Sequence, residues 1–509
     1  MDRTLVIAPG PTANGDLHLG HLAGPFLSAD VCARYARATG RDVLFGTGVH
    51  FTQNYIVTTA RRLGVDPEEL RERSGAQVEQ TLGTLAIEAD GFVRFDQRYR
   101  LAVQDFFRRL HKLDKLRLRP VAFPYVARTG EFLTDAYVRG GCPVCLAVGC
   151  AGLCETCGHW IASGDLIDPR STLDPDDEVE LRETPVLVLP LEEHRAELTA
   201  YFASLTATMR PRLAQLVEEL LAEPLPDYPI TLPISWGIPA PFPEVADQVI
   251  YSDAETIAWS MHGSALAAEL RGEQPGEELW SAAAAPAVVY FFGSDASFAF
   301  AVVGVAMLLA LGGYALPAHF VTNEFYELEN EKFSSSRGHV VTGRQLAAEV
   351  PRDLIRFYLA ATAPDFQRTN FTREAMDRVT GERLVRPWNR VAAKAEQWAG
   401  GGPLPVSAHS RAAGQLLLDR FAAAFEPRRF SLTAAAFTLT EQLARLDQWE
   451  VTPERAGDFC HELDLLLRCA APLLVDLAAA GLPDATVPSA ALATEVVPRV
   501  LPRLAGADL

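Results

Sequence analysis

The stretch from Thr4 to Gly48 constrains the fold of this chain more than any other. Leu5-Val6-Ile7-Ala8 is a short apolar run and predicts a buried strand. Pro9-Gly10-Pro11-Thr12-Ala13-Asn14-Gly15 follows, made of residues that stop regular structure. From Leu17 to about Thr39 the apolar residues recur at helical spacing, and Gly40 is placed to cap the C-terminus. Val43-Leu44-Phe45 predicts a second strand. Such a strand–loop–helix–strand unit sets its loop at a helix N-terminus. Free N–H groups and the positive end of the helix dipole there attract anions. His18 and His21 are three residues apart and share one face of the first turn. Gly20 leaves that turn bare enough for a flat ring to lie on it. The unit predicts an α/β fold with a site for the phosphates and base of a nucleotide.

A chain of 509 residues has room for two to four domains. With 49% hydrophobic and 22% charged residues it is globular, not disordered. The net charge of −19 argues against binding nucleic acid by bulk attraction, while local basic patches remain open. The N-terminus shows no basic segment followed by an apolar one, so a cytoplasmic location is expected. Ala299 to Leu316 is uncharged and reads as a buried core helix, with no membrane role.

Five of the eight cysteines lie between positions 142 and 157. Cys142-Pro-Val-Cys145 and Cys154-Glu-Thr-Cys157 form two Cys-x-x-Cys pairs, separated by eight residues. Each pair sets two thiolates on a tight knuckle, and four thiolates complete a closed, structural zinc site. Cys150, between the pairs, is a spare thiol. Asp66-Pro67-Glu68-Glu69 is a strong helix start, and Leu101 to Leu113 reads as a further helix. Past about 379 the chain predicts amphipathic helices over 411–425, 432–446, 455–477 and 490–501.

Ala13-Asn14-Gly15-Asp16-Leu17-His18-Leu19-Gly20-His21 resembles the HIGH motif of class I aminoacyl-tRNA synthetases, in the form used by methionyl-tRNA synthetases. The paired knuckles resemble the zinc knuckle of that family. Trp236-Gly237-Ile238-Pro239-Ala240-Pro241 resembles its WGIPVP, and Tyr290-Phe291-Phe292-Gly293-Ser294-Asp295 its HFIGKD. Lys332-Phe333-Ser334-Ser335-Ser336 resembles the KMSKS loop, which closes a cation over the triphosphate.

The resemblance implies a class I synthetase Rossmann fold with a zinc-knuckle insertion and a C-terminal α-helical bundle. Residues 1–115 and 236–320 would be the two halves of the catalytic domain and 116–235 the insertion. Residues 321–378 would form a stem-contact region and 379–509 an anticodon-binding-like domain. Catalysis would fall to His18, His21 and Lys332. ATP would be held by Asn14, Gly20, Gly293, Asp295, Lys332, Ser334 and Ser335. The amino-acid pocket would comprise Pro9, Gly10, Thr12, Gly48, His50, Tyr251, Asp253, Ala258 and Phe300. Cys142, Cys145, Cys154 and Cys157 would bind Zn²⁺, and ATP would act with Mg²⁺.

The departures cluster in the pocket. Gly48 stands where the family has the aspartate that holds the α-amino group. Thr12, Ala258 and Phe300 stand where it has a tyrosine, an aromatic residue and a histidine. Leu232 and Pro233 replace an Arg-Asp pair, Ser294 a lysine, and Ser335 the second lysine of KMSKS. Arg390 and Lys394 match the family's anticodon-reading Asn and Arg poorly, and Trp449 falls at its anticodon-stacking tryptophan without the proline that usually precedes it. These changes predict activation of an amino acid other than methionine. The acyl group would pass to a small amine or hydroxylamine, in natural-product biosynthesis and with a cupin-type enzyme as candidate partner. The alternatives are a methionine–tRNA ligase with a divergent pocket, for which tRNA is the acceptor, and a non-catalytic RNA-binding or regulatory protein. Intact HLGH and Lys332 argue against the last.

Overall fold

The computed structural model describes residues 3–274, 277–333 and 339–505. Its centre is a five-stranded sheet of β1 (Thr4–Ile7), β2 (Val43–Gly48), β3 (Gly91–Val93), β4 (Ala287–Gly293) and β5 (His319–Asn323). The order is β5-β4-β1-β2-β3 and every pairing is parallel. The alternation of side chains explains why both faces are covered. Val6, Phe45, Val289 and Phe291 enter one apolar core, while Leu5, Ile7, Leu44, Val288 and Tyr290 enter the other. The chain order reverses between β1 and β4, so the ligand crevice opens at their carboxyl ends.

Asp66 caps the helix Pro67–Thr84, accepting from the backbone of Glu68 and Glu69. Between β3 and β4 the chain builds an antiparallel sheet from Arg117–Val126, Glu131–Phe132, Val179–Pro190 and Asp227–Pro229. A small sheet of Val138–Gly141, Val148–Cys150 and Ile167–Ser171 carries the cysteines. The apolar stretch from Ser294 to Leu311 is long enough to cross a membrane by composition alone, but 72% of it is buried inside the molecule. It ends at Gly312, in the left-handed region with φ +67°.

Arg356 ties the N-terminal and C-terminal halves together. It is fully buried, and its Nη2 meets Asp30 Oδ2 at 2.6 Å. Its other donors reach the carbonyls of Leu85 and Leu473. Helices Ala408–Phe425 and Leu432–Asp447 lie where periodicity predicts them. Two of the predicted helices differ. The one over 455–477 divides into Ala456–Ala470 and Val475–Gly481, because Pro472 has no N–H to continue the ladder. The one over 490–501 does not form. Pro498 interrupts that stretch, Pro488 and Pro502 flank it, and Glu495–Val496 pairs with Leu404–Pro405 as a short antiparallel ladder.

Candidate active site

The loop after β1 leads into the turn His18–His21, and the two histidines cap that turn themselves. His18 Nδ1 accepts from the Gly20 N–H at 3.1 Å, and His21 Nδ1 accepts from the His18 N–H at 3.4 Å. A ring nitrogen that accepts leaves the proton on its partner, so both rings present Nε2–H as a donor. The rings stack with centroids 3.7 Å apart. Burial lowers the pKa of His18 well below the ordinary value, and pushes that of His21 down to about 4. The open face of Gly20 meets the rings of His18 and Phe333. Asp16 braces the turn from outside, accepting from the Leu17 backbone at 2.8 Å and from Arg344 Nε at 2.9 Å.

The segment around Lys332 brackets this turn. Phe333 stacks on His18 with centroids 4.6 Å apart and planes 5° from parallel. On the far side, Leu19 N–H donates to the Val341 carbonyl at 3.0 Å and Gly343 N–H to the Leu17 carbonyl at 3.1 Å. Ser334 and Ser335 lie outside the described residues. Lys332 Nζ contacts the Glu155 carboxylate, which belongs to the cysteine knuckle. Asp295 stands just past β4. Burial first, then Glu155, raise its pKa, while Lys332 opposes the rise. Gly293 ends β4, and a Cβ there would lie 2.5 Å from Asp295 Oδ1. Asn14 Nδ2 reaches Thr59 Oγ1 at 3.5 Å. Lys332 acts by charge on both His18 and Asp295, which places the turn and the end of β4 on one crevice.

The four cysteines fit a metal. Their sulfurs all lie within 4.8 Å of one another, with Cys142–Cys157 at 3.8 Å and Cys145–Cys154 at 3.6 Å. A tetrahedron with Zn–S bonds of about 2.3 Å has sulfurs about 3.8 Å apart. Leu146 and Gly158, both in the left-handed region, turn the two knuckles. Arg212 carries the knuckle to the crevice, because its guanidinium meets the Thr156 carbonyl and lies 3.5 Å from Glu324, just beyond β5. One zinc per chain is expected by elemental analysis. Chelation should open the segment 142–158 to proteolysis before the central sheet melts. Metal-free protein with a protected knuckle would contradict this.

Among the residues expected to hold the amino acid, position 48 has no room for a side chain. A Cβ at Gly48 would lie 2.7 Å from the backbone N and O of Val93, and one at Gly10 would lie 2.4 Å from Gly48 O. The strand ends have closed over the space a side chain would need. Gly48→Asp is therefore expected to cost roughly 1–3 kcal/mol by overpacking, without creating methionine activity. Denaturant unfolding and pyrophosphate exchange read the two halves of that prediction.

In place of an aspartate at 48, a hydrogen-bonded chain crosses the strand ends. The Thr12 hydroxyl donates to Gln53 Oε1, and Gln53 Nε2 donates to Asp253 Oδ1 at 2.8 Å. Tyr251 OH donates to Asp135 Oδ1 at 2.9 Å and lies 3.4 Å from Asp253 Oδ2. Burial, with Asp253 adding to it, pushes the Asp135 carboxyl up to about 8. Tyr251, Tyr228, Trp160 and Phe298 form an aromatic wall, with neighbouring centroids 5.1–6.0 Å apart.

Phe300 does not join that wall. It packs on Tyr290 and Phe292, and Phe298 takes the place beside Tyr228. Pro9 is half-buried and Ala258 is buried in the first turns of the helix Thr256–Leu270. Sequence reasoning missed Gln53, Asp135, Trp160 and Tyr228. Gln53 alone carried a signal, being three residues past His50 in the loop after β2.

The family model for tRNA synthetases class I (M) matches residues 4–394. A methionine–tRNA ligase from Roseiflexus sp. (strain RS-1) is 32% identical over 403 residues, spanning 77% of this chain and 68% of that ligase. A methionine–tRNA ligase from Thermomicrobium roseum is 30% identical over 430 residues, spanning 83% and 73% of the two chains. Mycobacterium tuberculosis methionyl-tRNA synthetase in complex with methionyl-adenylate has the same fold, with a TM-score of 0.73 at 18% identity over 99% of both chains. The chain is a ligase and belongs to the class I aminoacyl-tRNA synthetases, in their methionyl branch.

Proposed function

We propose that this chain uses ATP to activate an amino acid other than methionine and passes the acyl group to a small amine or hydroxylamine. A carboxylate oxygen of the amino acid attacks the α-phosphorus, the bond to the bridging oxygen breaks, and pyrophosphate leaves. His18 and His21 donate Nε2–H bonds to phosphate oxygens as charge moves onto them, and Lys332 steadies the departing pyrophosphate. Mg²⁺, when bound, neutralises triphosphate charge. In the second step the nucleophile's nitrogen or oxygen attacks the acyl carbon, the bond to AMP breaks, and the nucleophile loses a proton. A cupin-type enzyme that consumes the product is a candidate partner.

One observation carries the reading: the Thr12–Gln53–Asp253–Tyr251–Asp135 chain, with Gly48 closed against Val93, in the amino-acid pocket. The helical region supports the acceptor. Arg390 pairs with Asp447 through Nη2 at 2.5 Å, and Lys394 Nζ donates to the Trp449 carbonyl at 3.0 Å. Arg445 and Arg455 lie 5.2 and 4.5 Å from the centroid of the Trp449 ring. Side chains at the positions compared with anticodon readers thus have partners within the helical region. A second reading, methionine–tRNA ligase with a divergent pocket, is favoured by the 32% identity to such a ligase. The deciding experiment is pyrophosphate exchange over a panel of amino acids, followed by AMP release on adding amines or hydroxylamines. Exchange with a non-methionine amino acid and nucleophile-dependent AMP release are expected. Preference for methionine with no response to nucleophiles would return the chain to the second reading.

A further inference from the structure

Behind the histidine turn lies a charged pair to which the adenylation chemistry gives no role. The Asp16 side chain is only 9% exposed, and both of its oxygens are engaged. Oδ1 accepts from Leu17 N–H at 2.8 Å and from the Thr81 hydroxyl at 2.5 Å. Oδ2 accepts from Arg344, whose Nε and Nη2 both lie at 2.9 Å. Arg344 Nη1 donates in turn to Gln80 Oε1 at 2.7 Å. Gln80 and Thr81 belong to the helix Pro67–Thr84, and Arg344 to the short helix Gly343–Ala347. The pair therefore ties the turn to two segments that are remote from it in sequence.

The backbone makes the same connection. Thr342 bridges His18 in antiparallel fashion, and the flanking hydrogen bonds join Leu19 to Val341 and Gly343 to Leu17. The peptide of Leu17, just before His18, is thus held at its N–H by Asp16 and at its carbonyl by Gly343. Thr342 and Gln345 cap the helix that carries Arg344, each side chain accepting from the other's backbone N–H. The packing is close, since a Cβ on Gly343 would lie 2.6 Å from Leu22 Cδ1 and 2.9 Å from Thr81 Cγ2.

The turn needs support from outside. It spans only Leu19–His21, too short to be stiff by itself. Gly24, at φ −90° and ψ −111°, departs from helical geometry between the turn and the helix Leu27–Ala38, so the long helix does not brace it. The only side-chain caps of the turn are the two rings that must also meet phosphate. Asp16 lies close enough to His21 to act on it by charge.

We propose that Asp16 and Arg344 are positioning residues for adenylation, holding the turn so that His18 and His21 meet the phosphates without reorganisation. This rests on the reading that the two histidines serve the phosphates. The pair acts through the rings and does not touch the nucleotide.

The test is pyrophosphate exchange with the amino acid that the protein exchanges fastest. Arg344→Met keeps an unbranched stem and removes all three donors. It should lower kcat by about 10–10²-fold while the KM for ATP changes little. Arg344→Lys keeps the charge without the fork and should recover part of the loss. On top of His21→Ala, Arg344→Met should cost little more, because the ring it positions is gone. Asp16→Asn keeps an acceptor for Leu17 and Thr81 but loses the one for Arg344. It should reproduce the kcat loss, and it serves the comparison if Arg344→Met folds poorly. A lower melting temperature with unchanged kcat overturns the inference, as does a loss that persists in full beside His21→Ala. Both results leave the role of the histidines standing. If His21→Ala itself leaves the rate unchanged, that role falls and the inference falls with it.

Discussion

His21→Ala and Lys332→Ala are each expected to slow adenylate formation by about 10²–10³-fold, with little change in amino-acid affinity. The capping bonds of His18 and His21 fix both rings with Nε2–H outward, so no reorganisation is needed when phosphate charge develops. Their partners are oxygens whose charge changes in the transition state, so the lost contact appears in the rate. Removing His21 also removes a cap, at about 1 kcal/mol of stability. A rate loss of the expected size therefore exceeds what destabilisation explains. The pH of the assay matters. Burial holds His21 near 4, below the ordinary value of about 6.5. Between those values an unfolded chain takes up a proton that the native one refuses. The stability from keeping His21 neutral is thus complete above about 6.5 and falls away toward pH 4. Pre-steady-state adenylation measured near pH 7.5 checks the prediction. Unchanged rates in both variants would place the nucleotide elsewhere.

Methionine is expected to be activated up to about 10⁴–10⁵-fold less efficiently than the preferred amino acid. The magnitude follows from unpaired polar groups. A thioether makes no strong hydrogen bond, so admitting it would require the bonded chain of Thr12, Gln53, Asp253 and Tyr251 to open and leave its polar groups unpaired. Shape alone would give only about 10–200-fold. The ratio of kcat/KM values in exchange distinguishes these cases, and a ratio near one would show that the polar chain opens to admit methionine.

What could be read from the sequence was local. The strand Thr4–Ile7, the turn at His18–His21 and the four cysteines all announce themselves within a few residues. Their roles depend on short spacings that the backbone reproduces wherever it folds. The pocket depends on distant pairs. Gln53 meets Asp253 across 200 positions, and no periodicity marks either partner. Phe300 shows a subtler limit. The segment Phe298–Val303 winds as a π-helix, which shifts side-chain direction relative to an α-helical count. The motif match selects Phe300, while the aromatic wall receives Phe298. At 490–501 the apolar spacing is helical, but Pro498 within it and the prolines flanking it decide the backbone.

The central claim is that activation is kept while the acyl group goes to a small molecule. The most direct measurement is acylation of total tRNA, run under conditions where exchange with the preferred amino acid is fast. No tRNA should be charged, and adding an amine or hydroxylamine should consume the adenylate and release AMP. Stoichiometric charging of any tRNA would contradict the account.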